Sequence, residues 1–237
     1  MEAIILCGGK GTRLSEETTK RPKPMVKIGG KPIIWHIMKI YNYYGVNRFI
    51  LALGYKGEQI KKYFRNDINI DCDIVFADTG EETLKGGRIK RLEHYIQGEV
   101  FHLTYGDGIS NINLNKLVDY HKSHYSIGTV TAVRPPSRFG ELEINKQNTV
   151  LSLEEKPQMG RGLINGGFFM FNKKLFSYLT EEKNCDFEFG PLQQMAKDGE
   201  LKAYKHNGFW QCMDNVRERD YLNKHIKDNT APWVVWK

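Results

Sequence analysis

The chain has 237 residues, a net charge of +7, 40% hydrophobic residues and four cysteines, Cys7, Cys72, Cys185 and Cys212, none in a CxxC pair. That size and apolar content suit one large α/β domain and argue against disorder, while scattered cysteines argue against a disulfide framework or a structural zinc site. The absence of a long apolar run disfavours a membrane span, "MEAIILCGG" lacks the basic n-region of a secretory signal, and the dispersed lysines point to anionic small molecules rather than nucleic acid; a cytoplasmic location is expected.

In chain order, "EAIIL" (2–6) reads as a buried strand running into the loop "CGGKGTRL". "KPIIWHIMKIYNYYG" sets Ile33, Ile34, Ile37, Met38, Tyr41 and Tyr44 at helical spacing, with Gly45 as the stop. "RFILAL" is a strand, "KGEQIKKYF" a helix, "CDIVFA" a strand, "GGRIKRLEHYI" a helix and "VFHLTY" a buried strand ending at "GDG". "NLNKLVDYHKSH" is a helix opened by Asn113 or Asn115, and "GTVTAV" a strand. Past "RPPSRFG" the elements shorten to "ELEIN", "TVLSLEEK" and "GGFFMFN". A helix through "FGPLQQMAKDG", a strand pair "LKAYKH" with "FWQCM", and a closing helix "VRERDYLNKHI" complete the chain. The alternation predicts a Rossmann-like, mainly parallel sheet flanked by helices, with a small mixed β region. A single domain is expected, with a nucleotide-binding half at about 1–133 and an acceptor half at about 134–237. Ligands of open α/β sheets collect beyond the carboxyl ends of strands, which singles out "CGGKGTRL" and "GDG".

The first loop is neither a Walker motif, since Gly11 is followed by Thr12-Arg13, nor a dinucleotide fingerprint, since Leu14 stands where the third glycine belongs. Alone, its glycines are also compatible with a plain turn. The neighbouring cations favour phosphate binding. Gly8, Gly9 and Gly11 can present backbone N–H groups as an anion nest, Arg13 adds a planar fork, and Lys23 stands between Pro22 and Pro24 on a stiffened segment. A triphosphate asks for both a backbone cradle and cations against developing charge.

"GGKGTRL…RPKPM" resembles the signature of sugar-1-phosphate nucleotidyltransferases, and the chain as a whole is similar to their glucose-1-phosphate cytidylyltransferase branch. The matching stretches, among them "GYKGEQIKKYF", "DTG", "GGRIKRL", "TYGDGISN", "RPPSRFGELEI", "EKP", "INGGFFMFN", "GFWQCMD" and "APWVVWK", run in order from end to end. The resemblance implies the nucleotide-diphospho-sugar transferase type of fold and in-line attack by a sugar-phosphate oxygen on the α-phosphorus of a nucleoside triphosphate. It implies that Leu6, Gly8, Gly9 and Gly11 cradle the nucleotide, that Thr12 and Arg13 meet its phosphates, and that Arg13 and Lys23 are catalytic. It further implies that Asp107 and Asp214 hold Mg²⁺, with Asp107 also at the nucleotide, and that Gly86, Gly87 and Arg88 meet the pyrimidine. The acceptor would meet Gly140, Glu155, Lys156, Asn165 and Gly166, with Trp210 lining the pocket or merely packing.

Residue by residue, plainer readings stand beside these. Asp107 could be a turn aspartate and Asp214 the cap of the last helix. Glu155 and Lys156 could be an exposed pair and Asn165 a turn residue. His121 and His124 read as a solvated helix face rather than a metal site, and Cys7 as a small residue rather than a nucleophile.

Two departures from the branch bear on substrates. Lys85 stands where a threonine is usual before the two glycines. The connection "INID" is about twenty residues shorter than in the branch, where the longer segment makes subunit contacts and lies near the nucleotide. The implied reaction is CTP plus α-D-glucose 1-phosphate giving CDP-glucose and pyrophosphate, by a homo-oligomer. The alternatives are the same chemistry with dTTP, UTP or GTP, or with another phosphorylated acceptor, and a non-catalytic nucleotide-sugar sensor.

Overall fold

A computed structural model describes residues 1–66, 70–135, 141–154 and 162–236. Its central sheet contains β1 (Glu2–Leu6), β2 (Arg48–Leu53), β3 (Asp73–Asp78), β4 (Val100–Tyr105), β6 (Gly128–Val133), β8 (Phe169–Asn172) and β9 (Leu201–His206). The order across the sheet is β9-β6-β8-β4-β1-β2-β3, and the short β7 (Ile164–Asn165) shares with β8 the same edge of β6. β1, β2, β3 and β4 pair in parallel, and β9 is parallel to β6; β8 runs antiparallel to both its neighbours.

β1 is buried along its whole length because both faces of the sheet are covered. Ala3 and Ile5 enter the core beneath the helices Ile33–Tyr43 (α1), Gly57–Asn66 (α2), Leu114–Lys122 (α4) and Val216–Lys227 (α5); Ile4 and Leu6 enter the opposite core with Ile89 of the helix Lys85–Lys90 (α3). The chain steps outward from β1 through β2 to β3, then returns to the other side of β1 for β4. The reversal puts a topological switch point between β1 and β4, with the glycine loop and the Asp107 turn opening beside it. The terminal segment seals the first core: Trp233 is fully buried, stacks on Phe209 at 5.4 Å and donates its indole N–H to His36 at 3.4 Å.

Three local expectations change. "LKAYKH" does not pair with "FWQCM": it joins β6 in parallel, while β10 (Trp210–Cys212) pairs antiparallel with β5 (Gly108–Ser110). The helix drawn through "GGRIKRLEHYI" ends at Lys90 and is followed by a 3₁₀ turn at Glu93–Tyr95. The helix of "FGPLQQMAKDG" is Gln193–Lys197, entered through a wide turn at Glu188–Leu192 that contains Pro191, whose missing N–H cannot continue an α-helical ladder. "ELEIN" and "TVLSLEEK" form an antiparallel hairpin, Glu141–Ile144 with Val150–Glu154. Among the described residues no helix is long and apolar enough to cross a membrane.

Candidate active site

The glycine loop leaves β1 at the switch point. Cys7 continues the ladder, its N–H donating to Ala52 at 3.0 Å, and burial pushes its thiol far up, which fits an inert small residue. Gly8 has a steric reason that sequence does not show: a Cβ there would lie 2.2 Å from an Arg88 guanidinium nitrogen. Gly11 adopts a left-handed φ of 64° that opens the 3₁₀ turn Thr12–Leu14, and Thr18 Oγ1 donates to its carbonyl at 3.0 Å. Gly9 differs, because a Cβ there would meet nothing within 4 Å. Its bare backbone faces open space.

Lys23 begins a 3₁₀ turn set by the extended Pro22 and by Pro24, and only 7% of the residue is exposed. Its ammonium lies between two carboxylates, donating to Asp107 Oδ2 at 2.6 Å and to Asp214 Oδ1. Burial opposes the charge, but the fields of Asp107 and Asp214 and their hydrogen bonds outweigh it and hold Lys23 above the ordinary lysine range. Arg13 pairs with the other oxygen of Asp214 at 2.5 Å. The aspartates are 107 residues apart in sequence, and the β5–β10 ladder joins them. Cys212 faces Gly108, and the next bond, Met213 N–H to the Asp107 carbonyl at 2.9 Å, leaves Asp107 and Asp214 side by side at its end. Asn215, not Asp214, caps α5, its side chain accepting the Glu218 N–H at 3.0 Å. The Asp214 side chain is thereby free to enter the site.

Two carboxylates converging on one cation make a donor set that suits Mg²⁺, which takes one or two protein carboxylates and completes its octahedron with phosphate oxygens and water. Asp107 and Asp214 are the residues that could hold it.

Two cavities meet at this centre. The smaller, about 340 Å³, is lined by Leu6, Gly8, Gly9, Gly11, Thr12, Arg13, Lys23, Arg88 and Asp107. The larger, about 800 Å³, is lined by Asn165, Gly166, Trp210 and Asp214, together with Arg13 and Asp107. Trp210 donates its indole N–H to the Gly166 carbonyl at 2.8 Å, and Asn165 donates to the Tyr105 hydroxyl at 3.0 Å, so the three expected acceptor residues share one wall. Gly140, Glu155 and Lys156 lie outside the described residues.

The geometry revises three further expectations. Arg88, expected at the base, lines the smaller cavity but spends its guanidinium on the protein: it is buried and donates to the carbonyls of Leu53, Gly80, Gly8 and Glu81 and to Thr79 Oγ1, at 2.6–3.1 Å. It ties the glycine loop to the ends of β2 and β3. Gly86 and Gly87 are also answered by packing. A Cβ on Gly86 would lie 2.8 Å from the Cys185 carbonyl oxygen, and one on Gly87 2.4 Å from that of Glu182, so the bare positions admit the 182–186 segment against α3. Thr83 and Leu84, which sequence reasoning did not select, and Lys85, noted there only as a departure from the branch, line the smaller cavity beside Arg88. His121 is buried rather than solvated; His121 and His124 both hydrogen-bond the Thr129 hydroxyl at 2.9 Å. Lys10 pairs with Glu82 on the surface. Lys85, Tyr105, Glu188 and Arg217 also line the larger cavity. Of these, Lys85, just before Gly86-Gly87, and Tyr105, two residues before Asp107, carried a positional signal in the sequence.

A glycine loop with open backbone at Gly9, a buried lysine bridging two aspartates and two adjoining cavities on a switched, mainly parallel sheet fit nucleotidyl transfer. The nucleotidyl transferase family model matches residues 2–224, and the chain belongs to that family. Among its relatives, the probable glucose-1-phosphate cytidylyltransferase of Bacillus subtilis (strain 168) is 46% identical over 256 aligned residues, with both chains fully covered. The glucose-1-phosphate cytidylyltransferase of Salmonella typhimurium is 42% identical over 259, again with full coverage of both. Both alignments are longer than this 237-residue chain, as expected where the relatives carry extra residues. The crystal structure of HddC from Yersinia pseudotuberculosis complexed with GMP-PN superposes with a TM-score of 0.73 at 28% identity, covering 94% of this chain and 98% of that one.

Proposed function

We propose that the protein transfers the cytidylyl group of CTP to α-D-glucose 1-phosphate, releasing pyrophosphate and forming CDP-glucose. The observation that carries this reading is Lys23, held charged between Asp107 and Asp214 where the two cavities meet. Full-length kinship to two glucose-1-phosphate cytidylyltransferases supports the choice of substrates.

On this reading the triphosphate occupies the smaller cavity. The open backbone at Gly9 and the loop N–H groups approach its phosphates, and Arg13 provides a second cation. The acceptor occupies the larger cavity against Asn165, Gly166 and Trp210. An oxygen of the acceptor phosphate forms a new bond to the α-phosphorus as the bond to pyrophosphate breaks in line with it. Lys23 balances the negative charge spreading over the α-phosphoryl oxygens and the leaving group, so catalysis is chiefly positioning and charge neutralisation. When bound, Mg²⁺ at Asp107 and Asp214 supplies Lewis-acid polarisation of the α-phosphate. Binding alone does not need a buried lysine fixed by two aspartates, which favours an enzyme over a sensor.

A second reading, the same transfer with another nucleotide or another phosphorylated acceptor, is supported by Lys85, a cation on the wall common to both cavities. Pyrophosphate release from a matrix of CTP, dTTP, UTP and GTP against several acceptor phosphates separates the readings. Dominance of CTP with glucose 1-phosphate supports the first, and any other dominant pair the second.

A further inference from the structure

Lys85 is the first residue of α3, on the donor side, and Glu188 lies in the wide turn that precedes the helix Gln193–Lys197. The Lys85 ammonium pairs with Glu188 Oε1 and sits 5.3 Å from the centre of the Tyr105 ring. The Tyr105 hydroxyl donates to the same Oε1 at 2.8 Å and accepts from Asn165 Nδ2 at 3.0 Å; Asn165 Oδ1 in turn accepts the Gly167 N–H at 2.9 Å. Asp186 fixes the carboxylate's own backbone, accepting the N–H groups of Glu188 at 2.9 Å and Phe189 at 3.0 Å. These contacts form an unbroken chain from the first turn of the donor-side helix to the acceptor wall.

The chain is a poor device for stability alone. Glu188 Oε2 is buried and accepts no hydrogen bond among the described residues, a desolvation cost that a neutral residue at this position would avoid. That cost falls on the wall of the larger cavity, where the carboxylate meets Lys85 and Tyr105, which line both cavities. Its charge draws Lys85 inward, and burial first and the Glu188 charge second push the Tyr105 hydroxyl further above the ordinary tyrosine range, in keeping with its role as donor.

We propose that Lys85 and Glu188 are positioning residues that set the acceptor pocket from the donor side, by holding Tyr105 and, through it, Asn165 in the orientation that receives the acceptor. This rests on the assignment of the two cavities proposed above. Lys85 and Glu188 touch neither reacting atom; they fix the side chains that meet the acceptor, so their loss is read in acceptor KM rather than in donor KM.

The test uses Lys85→Met, Glu188→Gln, the double variant and Lys85→Arg, with KM and kcat measured separately for nucleotide and acceptor. Lys85 is substantially exposed, so Lys85→Met remains informative if Glu188→Gln folds poorly. Each single variant is expected to raise acceptor KM about tenfold, the scale of one lost charged hydrogen bond; nucleotide KM is expected to stay within about twofold in Glu188→Gln, whose residue lines only the larger cavity, and to rise less than acceptor KM in Lys85→Met. The double variant is expected to match the singles, because the pair acts as a unit, and Lys85→Arg is expected to stay near wild type. Unchanged acceptor KM in Lys85→Met, equal rises in both KM values, or a double variant multiplying the two effects to about a hundredfold would each overturn the relay. Wild-type turnover separates this failure from that of the underlying assignment. No turnover with any nucleotide and acceptor pair removes both, whereas turnover without the KM split removes the relay alone.

Discussion

Replacing Arg88 by methionine separates a base-contacting arginine from a structural clamp. The side chain is buried and spends its guanidinium on five protein oxygens. Methionine fills much of the same volume with no donors. Two of the abandoned carbonyls keep other partners: Gly8 still accepts the Tyr55 N–H at 3.1 Å, and Leu53 still accepts from the N–H and hydroxyl of Thr79. Gly80 and Glu81 have no other donor among the described residues, although both lie near the surface. Each orphaned acceptor costs about 1–3 kcal/mol, and access to water puts these two towards the low end, for a loss of about 3 kcal/mol. For a chain of this size that lowers Tm by roughly 10 °C. The glycine loop also loses its tether, so nucleotide KM rises about tenfold. Differential scanning calorimetry and steady-state kinetics read the two effects. An unchanged Tm with lost nucleotide affinity would refute the clamp and return Arg88 to direct contact with the base.

Gly8→Ala and Gly9→Ala form a contrasting pair: the first drives a Cβ into the Arg88 guanidinium and should lower Tm as Arg88→Met does, while the second meets no protein atom and should keep Tm but raise nucleotide KM. Thermal melts with a nucleotide titration check both, and a destabilised Gly9→Ala would contradict the open-space reading. Lys23→Met should cut kcat at least a hundredfold while the protein still binds nucleotide, measured by single-turnover pyrophosphate release and calorimetric titration. Acid should destabilise the fold through its buried histidines. Burial lowers His36 to about 4, His102 to about 3 and His121 to about 4, so below about 6.5 the unfolded chain takes up protons that the folded chain refuses. Their stability contribution is complete above that pH and falls as pH drops towards 4, by up to about 3 kcal/mol for His36 alone. Urea unfolding between pH 7.5 and 4.5 should show this decline, with a shallower slope in His36→Phe; equal slopes would contradict it.

Much of this site was legible because its residues are local in the chain. The loop residues Gly8 to Arg13 and the proline-flanked Lys23 occupy one short stretch, and the apolar runs of β1, β2 and β4 announce a sheet covered on both faces. What no local pattern could supply was non-local, and Asp107 with Asp214 came as a pair only through the family resemblance. The pairing of Asp107 with Asp214 depends on β5 meeting β10 about a hundred residues away, and Asn207-Gly208 instead suggests a hairpin between the strands on either side of it. Arg88 looked like a ligand-binding cation because neither its burial nor the carbonyls around it can be inferred from "KGGRIKR". Gly86 and Gly87 carried the same ambiguity, since a glycine demanded by packing and one demanded by a ligand are identical in sequence. Glu188 carried no signal, as its meaning comes from Lys85 and Tyr105, which approach it from distant parts of the chain.

Cytidylyl transfer to glucose 1-phosphate is decided by pyrophosphate release from the purified protein with Mg²⁺, across four nucleoside triphosphates and a set of acceptor phosphates. CTP with glucose 1-phosphate is expected to exceed every other pair in kcat/KM by at least about a hundredfold. A different pair in first place would contradict the assigned substrates, and no pyrophosphate from any pair would contradict nucleotidyl transfer itself.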